Sequence, residues 1–379
     1  MLAGCYRPRI EGACEVRCDP ANAPACPAGL ACGADGLCFD EIECNVLPAD
    51  GGTDSIDVPP GDFCAGTGWL ANTCPSVIGP ALNLPPTIDT QSDCDQIIAG
   101  NCLVAAEQIA VVGAVQVTGP RPLVLFAQTN IIVATSSIIE AASGSGVGCP
   151  TIAAGASTSS AGGATGGGPG GTLGGRGGNG GGADNAVHAM APVAFPVTSL
   201  RGGCPGGSGG AGPASSAALG GAGGGAIYLI AGNAITIVGT IRAAGGGGGG
   251  GVPVIGTSCG GGGGGSGGVI ALDAPMIQVR PSGVLFADGG GGGGGARGGT
   301  GSAGAAALLL GVRASGGVAF GMASTNGALG SGLGVLSGES ATDAGTSGGA
   351  GGGGGGAGVI KLFGTPTLDG GSTVSPPPT

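Results

Sequence analysis

Cysteine is the residue with most chemistry to offer in this sequence. Cys14, Cys18, Cys26, Cys32, Cys38 and Cys44 crowd one stretch. Cys64, Cys74, Cys94 and Cys102 form a second group, and Cys149, Cys204 and Cys259 lie among glycines. Closely spaced thiolates can hold zinc or pair as disulfides. No Cys-x2-Cys pair occurs and the only histidine, His188, is remote. The chemistry expected is therefore cross-linking, with no metal and no cofactor. Cysteine usage on this scale implies an oxidising compartment. The ten cysteines from Cys14 to Cys102 are expected to pair among themselves, the first six within their own module. Among the later three, Cys149 with Cys204 is the favoured pair and Cys204 with Cys259 the alternative.

Other reactive groups are sparse. A Ser-His-Asp triad would have to use His188, which sits in a glycine tract. Gly-x-Gly-x-x-Gly recurs, but no strand-helix unit follows it, so it says nothing about nucleotides. Beyond residue 140 the β-rich stretches offer Asp273, Asp288, Arg242, Arg280, Arg313 and Lys361. Clustered carboxylates with arginine and lysine are what a polysaccharide lyase or hydrolase needs. The simpler expectation is that these charges line a solvated exterior. Trp69 is the only tryptophan, a poor provision for a sugar platform. No catalytic residue is expected.

The elements that would position these groups are legible as a recurring pattern. Leu123-Ala127, Ile131-Val133 and Ile138-Ala141 form one three-strand set. Ala226-Ala231, Ile235-Val238 and Thr240-Ala243 form the next. Val269-Asp273, Ile277-Arg280 and Gly283-Ala287 follow, then Gly358-Phe363, Pro366-Leu368 and Ser372-Val374. Anchors keep a spacing of six to eight: Leu125, Ile132 and Ile139; Ile227, Ile235 and Ile241; Ile270, Ile277 and Leu285; Ile360, Leu368 and Val374. Repeats that cannot bury an apolar face alone mark a solenoid. The expected fold is all-β, a parallel β-helix with long glycine-rich inserts from one corner, preceded by small disulfide-rich modules. An antiparallel sandwich is the alternative, disfavoured because the inserts far exceed hairpin loops.

The inserts, 142–225, 244–268 and 288–357, carry most of the 96 glycines of this 379-residue chain. Two readings compete: disorder, which low complexity usually means, or extended glycine helices with three residues per turn, packed side by side. The second arrangement resembles the glycine-rich sandwiches of some phage adhesins and insect antifreeze proteins. A regular threonine array, as ice binding would need, is not present.

The first residues read Met1-Leu2-Ala3-Gly4-Cys5. Leu-Ala-Gly-Cys resembles the lipobox of bacterial lipoproteins. The resemblance implies cleavage after Gly4 and a lipid on Cys5, hence an anchor in the outer membrane. The charged and apolar regions of a signal peptide are missing ahead of it, which a start codon placed too late or a chance match would explain. Otherwise Cys5 is one more disulfide cysteine. Residues 14–44 then read as a cysteine-rich module, 45–62 as an acidic linker, 63–102 as a disulfide-stapled cap and 103–379 as the glycine-rich β-helix. The net charge is −11, and 15 of the 22 acidic residues precede residue 108. That balance excludes nucleic acid as a main partner.

Taken whole, the chain resembles the glycine-rich and cysteine-rich surface lipoproteins of gliding soil bacteria. The resemblance implies a non-enzymatic structural or adhesion protein, extracytoplasmic, on the outer membrane surface or secreted, with a surface polysaccharide or cell-surface partner. A carbohydrate-active β-helix enzyme is the alternative.

Overall fold

The computed structural model is all-β, and no helix occurs among the residues it describes: 31–32, 38–39, 63–141, 149–158, 162–184, 188–308, 312–332 and 334–379. The chain divides into two units, Met1–Asp57 and Val58–Thr379. In the first, β1 (Ala31–Cys32) and β2 (Cys38–Phe39) pair antiparallel, with Cys32 opposite Cys38. Cys5, Cys14, Cys18, Cys26 and Cys44 lie outside the described residues.

The second unit is built in tiers of three short strands. A partial tier holds β3 (Leu82–Asn83) and β4 (Thr87–Asp89), and β5 (Gln96–Ile98) is a flanking antiparallel strand. β6 (Asn101–Ala106), β7 (Ile109–Val111) and β8 (Ala114–Thr118) make the first full tier. β9 (Leu123–Ala127), β10 (Asn130–Val133) and β11 (Ile138–Ala141) make the second, and β12 (Ala226–Ala231), β13 (Ala234–Ile237) and β14 (Thr240–Arg242) the third. After β15 (Ser258–Cys259) come β16 (Val269–Val279) and β17 (Val284–Phe286). After β18 (Ala296–Arg297) come β19 (Val359–Leu368) and β20 (Thr373–Ser375). β16 and β19 each supply two strands' worth of pairing. The register shift between them falls at Ala274/Met276, where Pro275 lies inside the strand and not at a free turn.

Equivalent strands of successive tiers pair in parallel, so each ladder stacks like on like. One column runs Cys102, Leu123, Ile227, Ile270, Ile360. A second runs Ile109, Ile131, Ile235, Ile277, Pro366, and a third Val115, Ile139, Ile241, Leu285, Val374. Apolar side chains of all three ladders meet in one buried cluster. β-branched and leucine side chains suit this pleated, densely stacked setting. Each one fully buried contributes roughly 1.5–3 kcal/mol. Between β7 and β8 the chain turns at Gly113, whose φ of 101° only glycine adopts without strain.

Two expectations need correction. The anchor in β10 is not Ile132 but its neighbours: Ile131 and Val133 are fully buried while Ile132 is 36% exposed. Three consecutive apolar residues give no alternation, so only the pairing partner decides which face turns inward. Leu368, at the end of β19, is likewise exposed at 43%. The stretch 63–102 contributes β3 and β4, which pair with β7 and β8 at the ends of two ladders.

The described residues of the inserts are packed together. The inserts all follow the third strand of a tier, β11, β14 or β17, and so leave from one ladder. In the tract 260–268 the amide donors rotate among three neighbours. Gly260, Gly263 and Ser266 donate to Gly210, Gly207 and Cys204. Gly261, Gly264 and Gly267 donate to Ala350, Gly353 and Gly356. Gly262, Gly265 and Gly268 donate to Gly249, Gly246 and Ala243. Its carbonyls accept from three more tracts: Gly168 and Gly171, Gly221 and Gly224, Gly290 and Gly293. The three-residue period is that of an extended left-handed helix, here with six neighbours. Every backbone polar group asks for a partner when buried, and in this bundle neighbouring backbone supplies it. A Cβ placed on Gly261, Gly263 or Gly265 would collide with the carbonyls of Gly293, Pro169 and Ala222 respectively.

Candidate binding surfaces

The cysteines come first. Cys64 pairs with Cys74, Cys94 with Cys102, and Cys149 with Cys204. Cys259 is free and buried, its thiol against the Ser216 carbonyl. The Cys149–Cys204 bridge spans 55 residues with the Cα atoms 5.6 Å apart. Closing a loop of that length is worth about 4 kcal/mol on chain-entropy grounds. Arg201 lies over the bridge, its Nη2 3.0 Å from the Cys149 sulfur and 3.4 Å from that of Cys204. These disulfides point to an oxidising, extracytoplasmic compartment. No helix among the described residues is long and apolar enough to cross a membrane.

Two charged residues of the tiers are not solvated as expected. Asp273 is 2% exposed and Asp288 2% exposed. Asp273 points outward from β16 into a lid formed by residues 63–74. It accepts hydrogen bonds from the Tyr228 hydroxyl at 2.6 Å, from the Thr67 and Gly68 amides at 2.8 Å each and from the Thr67 hydroxyl at 3.0 Å. Trp69 and Phe363 close around Tyr228 with ring centroids 6.4 and 6.0 Å away. Burial, reinforced by the Asp273 carboxylate, pushes the Tyr228 phenol far above its ordinary range. Asp288 bonds the Ser375 hydroxyl at 2.6 Å, and burial raises its carboxyl.

Three further arginines each face a carboxylate. Arg242 faces Glu140 at 3.7 Å, Arg280 faces Asp369 at 3.5 Å and Arg313 faces Glu339 at 2.9 Å. Glu140 and Arg242 are register partners in adjacent strands, so the ladder itself brings them together. His188 stands 3.4 Å from Asp343 and 3.2 Å from the Gly180 carbonyl. Asp273 and Asp288 have separate sets of partners, and among the described residues neither meets an arginine or lysine at ion-pair distance.

At the far ends of the glycine tracts lies a different surface. There β15 and β18 pair antiparallel, tying Ser258–Cys259 to Ala296–Arg297. Beyond them the loops carry large apolar side chains into solvent. Ile255 is 96% exposed and Met322 88% exposed, with Val252, Val254, Val318 and Phe320 also exposed. The backbones beneath are tied together. Val254 donates to the Ser215 hydroxyl at 3.0 Å, Arg297 to the Phe320 carbonyl at 2.9 Å and Gly301 to Gly251 at 2.9 Å. The Arg297 guanidinium holds the Ser347 carbonyl at 2.9 Å, adding the next loop. Sequence reasoning missed these residues. Their signal was the interruption of glycine runs by Val252-Pro253-Val254-Ile255 and Phe320-Gly321-Met322. No protein-family model, no curated protein and no solved structure matches this chain.

Proposed function

We propose that this chain is a non-enzymatic cell-surface or secreted structural protein that adheres through the loop tip of its glycine bundle. In this reading the stacked tiers form a parallel β-helix, and the inserts leaving one of its corners make a stiff spacer. Its interior is backbone bonded to backbone, which leaves proteases few extended segments to grip. The observation that carries the reading is the tip itself, with Ile255, Met322 and Phe320 exposed on loops whose backbone is fastened by several hydrogen bonds. Exposed apolar residues gathered on an ordered support are what a contact surface needs. Lipid attachment at Cys5 would hold the chain at the outer membrane, with a surface polysaccharide or cell-surface protein as partner.

Two measurements test this. Membrane fractionation with mass spectrometry of the N-terminal peptide should find a diacyl or triacyl modification on Cys5; an unmodified Cys5 would remove the anchor. Beads coated with the purified protein should be retained on cells of the producing strain. The triple change Ile255→Ser, Phe320→Ser, Met322→Ser should abolish retention while thermal unfolding stays unchanged. Undiminished retention would remove the tip from the reading.

A further inference from the structure

A second surface feature is independent of the tip. On the outer face of β19, toward the last tier, a cavity of about 440 Å³ opens to solvent. Its walls include Phe195, Val197, Leu336, Val359 and Pro376, and one charged side chain lines it, Lys361. Five separated stretches of the chain build these walls, around residues 174, 195–197, 334–336, 358–361 and 376–379. The 195–197 segment packs on the outer face of the first ladder with Leu173 and Val359. The Phe195 ring is held by Arg201, whose guanidinium carbon lies 5.2 Å from the ring centre. The C-terminal prolines are pinned along β19 by the Thr379 amide, which donates to the Ile360 carbonyl at 3.0 Å.

Lys361 is the only lysine in the sequence. In the ladder it stands beside Ala271, in a row of outward positions otherwise filled by Leu103, Val124 and Tyr228. An apolar side chain would suit that row. The Lys361 side chain has no hydrogen bond or ion pair among the described residues, whereas Arg242, Arg280 and Arg313 each face a carboxylate. It is half-buried and lines the cavity. A half-buried cation in the lining of a mostly apolar cavity is the arrangement that recognises one negative charge on an otherwise apolar body.

We infer that this cavity binds a small apolar carboxylic acid, its carboxylate on Lys361 and its hydrocarbon body between Phe195, Val197 and Leu336. The volume lies within the range of small-molecule sites, roughly 300–1,000 Å³.

Decanoate serves as the probe, titrated calorimetrically into the full chain below micelle-forming concentrations, with decanol and decylammonium as matched controls. Decanoate should bind at least about tenfold more tightly than decanol, and decylammonium should bind more weakly than either. Lys361→Met should erase the difference between decanoate and decanol while leaving decanol affinity and thermal unfolding unchanged. Leu336→Trp, which fills the cavity from its exposed wall, should weaken both. Equal binding of decanoate and decanol, or a charge preference that survives Lys361→Met, overturns the inference. Absence of decanoate binding does so as well.

Discussion

The strand tiers and the glycine bundle bury comparable lengths of chain by opposite means. In the tiers, side chains do the packing: Ile235, Ile277 and Leu285 fill an interior that backbone only surrounds. In the bundle, backbone fills most of the interior and few side chains enter it; a Cβ on Gly264 would meet the Gly290 carbonyl. The hydrophobic effect stabilises the first. The second rests on hydrogen bonds and close van der Waals contact, set against the high entropy cost of ordering glycine. Apolar character is therefore not the common requirement for burial in this molecule; satisfied polar groups and close packing are. The two regions should respond in opposite ways to added and removed atoms.

The largest effect should come from charge in the tier core. Ile277→Asp places a carboxylate where nothing can pair with it, at a cost of several kcal/mol, comparable to the stability of a whole domain. Urea unfolding should show loss of the cooperative transition. Gly264→Val should be nearly as severe, above about 3 kcal/mol, since a backbone carbonyl cannot swing aside as a side-chain tip can. In contrast, Ile235→Val, which removes one methyl from the tiers, should cost only about 0.5–1.5 kcal/mol. If Gly264→Val proved milder than Ile235→Val, the bundle would not be backbone-packed and the comparison would fail.

Next is the seam where the two regions meet the lid. Asp273→Ala leaves the Tyr228 hydroxyl and the Thr67 and Gly68 amides without their acceptor. An unsatisfied buried polar group costs roughly 1–3 kcal/mol. The lid should loosen first, so protease should cut near residues 63–74 at denaturant concentrations that leave the wild type intact. Cys149→Ser tests the analogous fastening of the longest insert and should cost about 2–4 kcal/mol. An unchanged melting temperature would mean that the glycine lattice alone holds residues 149–204.

Much of this architecture was readable beforehand. Ile227 pairs with Ile270 and Ile235 with Ile277, as their spacing within each repeat implies. The constant position of the inserts after the third strand was also visible. The tier of β6, β7 and β8 is harder to see as a full repeat in the sequence, because no glycine insert follows Thr118. Ile132 was misassigned because Ile131-Ile132-Val133 lacks alternation. The burial of Asp273 could not be read at all: its partners Thr67 and Gly68 lie more than 200 positions away. For the same reason the tip and the Lys361 cavity, each assembled from distant loops, left only faint traces in the sequence.

Asp288 gives a pH-dependent test at the tier end. Burial holds its carboxyl above the ordinary value of 3.8, with the Ser375 hydrogen bond pulling the other way. The folded protein therefore binds this proton more tightly than the unfolded chain. The stability that it contributes is complete below pH 3.8 and is lost as pH rises through the raised folded value. Asp288→Asn keeps a neutral hydrogen-bonding group and removes the titration. Its urea midpoint should lack the decline that wild type shows as pH rises across that window. Parallel pH profiles in the two proteins would contradict the assignment.

The smallest effects should sharpen the comparison inside the bundle itself. With three residues per turn, a tract at the bundle surface turns every third position outward. In 218–225 the exposed positions are Leu219 and Ala222, while Gly221 and Gly223 are buried. A Cβ on Gly221 would meet the Gly246 carbonyl, and one on Gly223 the Gly203 carbonyl. Ala222→Val and Leu219→Ser change atoms that face solvent, so each should shift stability by less than about 0.5 kcal/mol. Gly221→Ala, one position away and a single methyl, should cost more than about 1 kcal/mol. Thermal unfolding of these three variants reads the period directly. Equal tolerance at 221 and 222 would mean that this tract is not packed as a three-residue helix. A cost that tracked side-chain size and not position would refute the lattice, because position relative to the neighbouring carbonyls is what the bundle makes decisive.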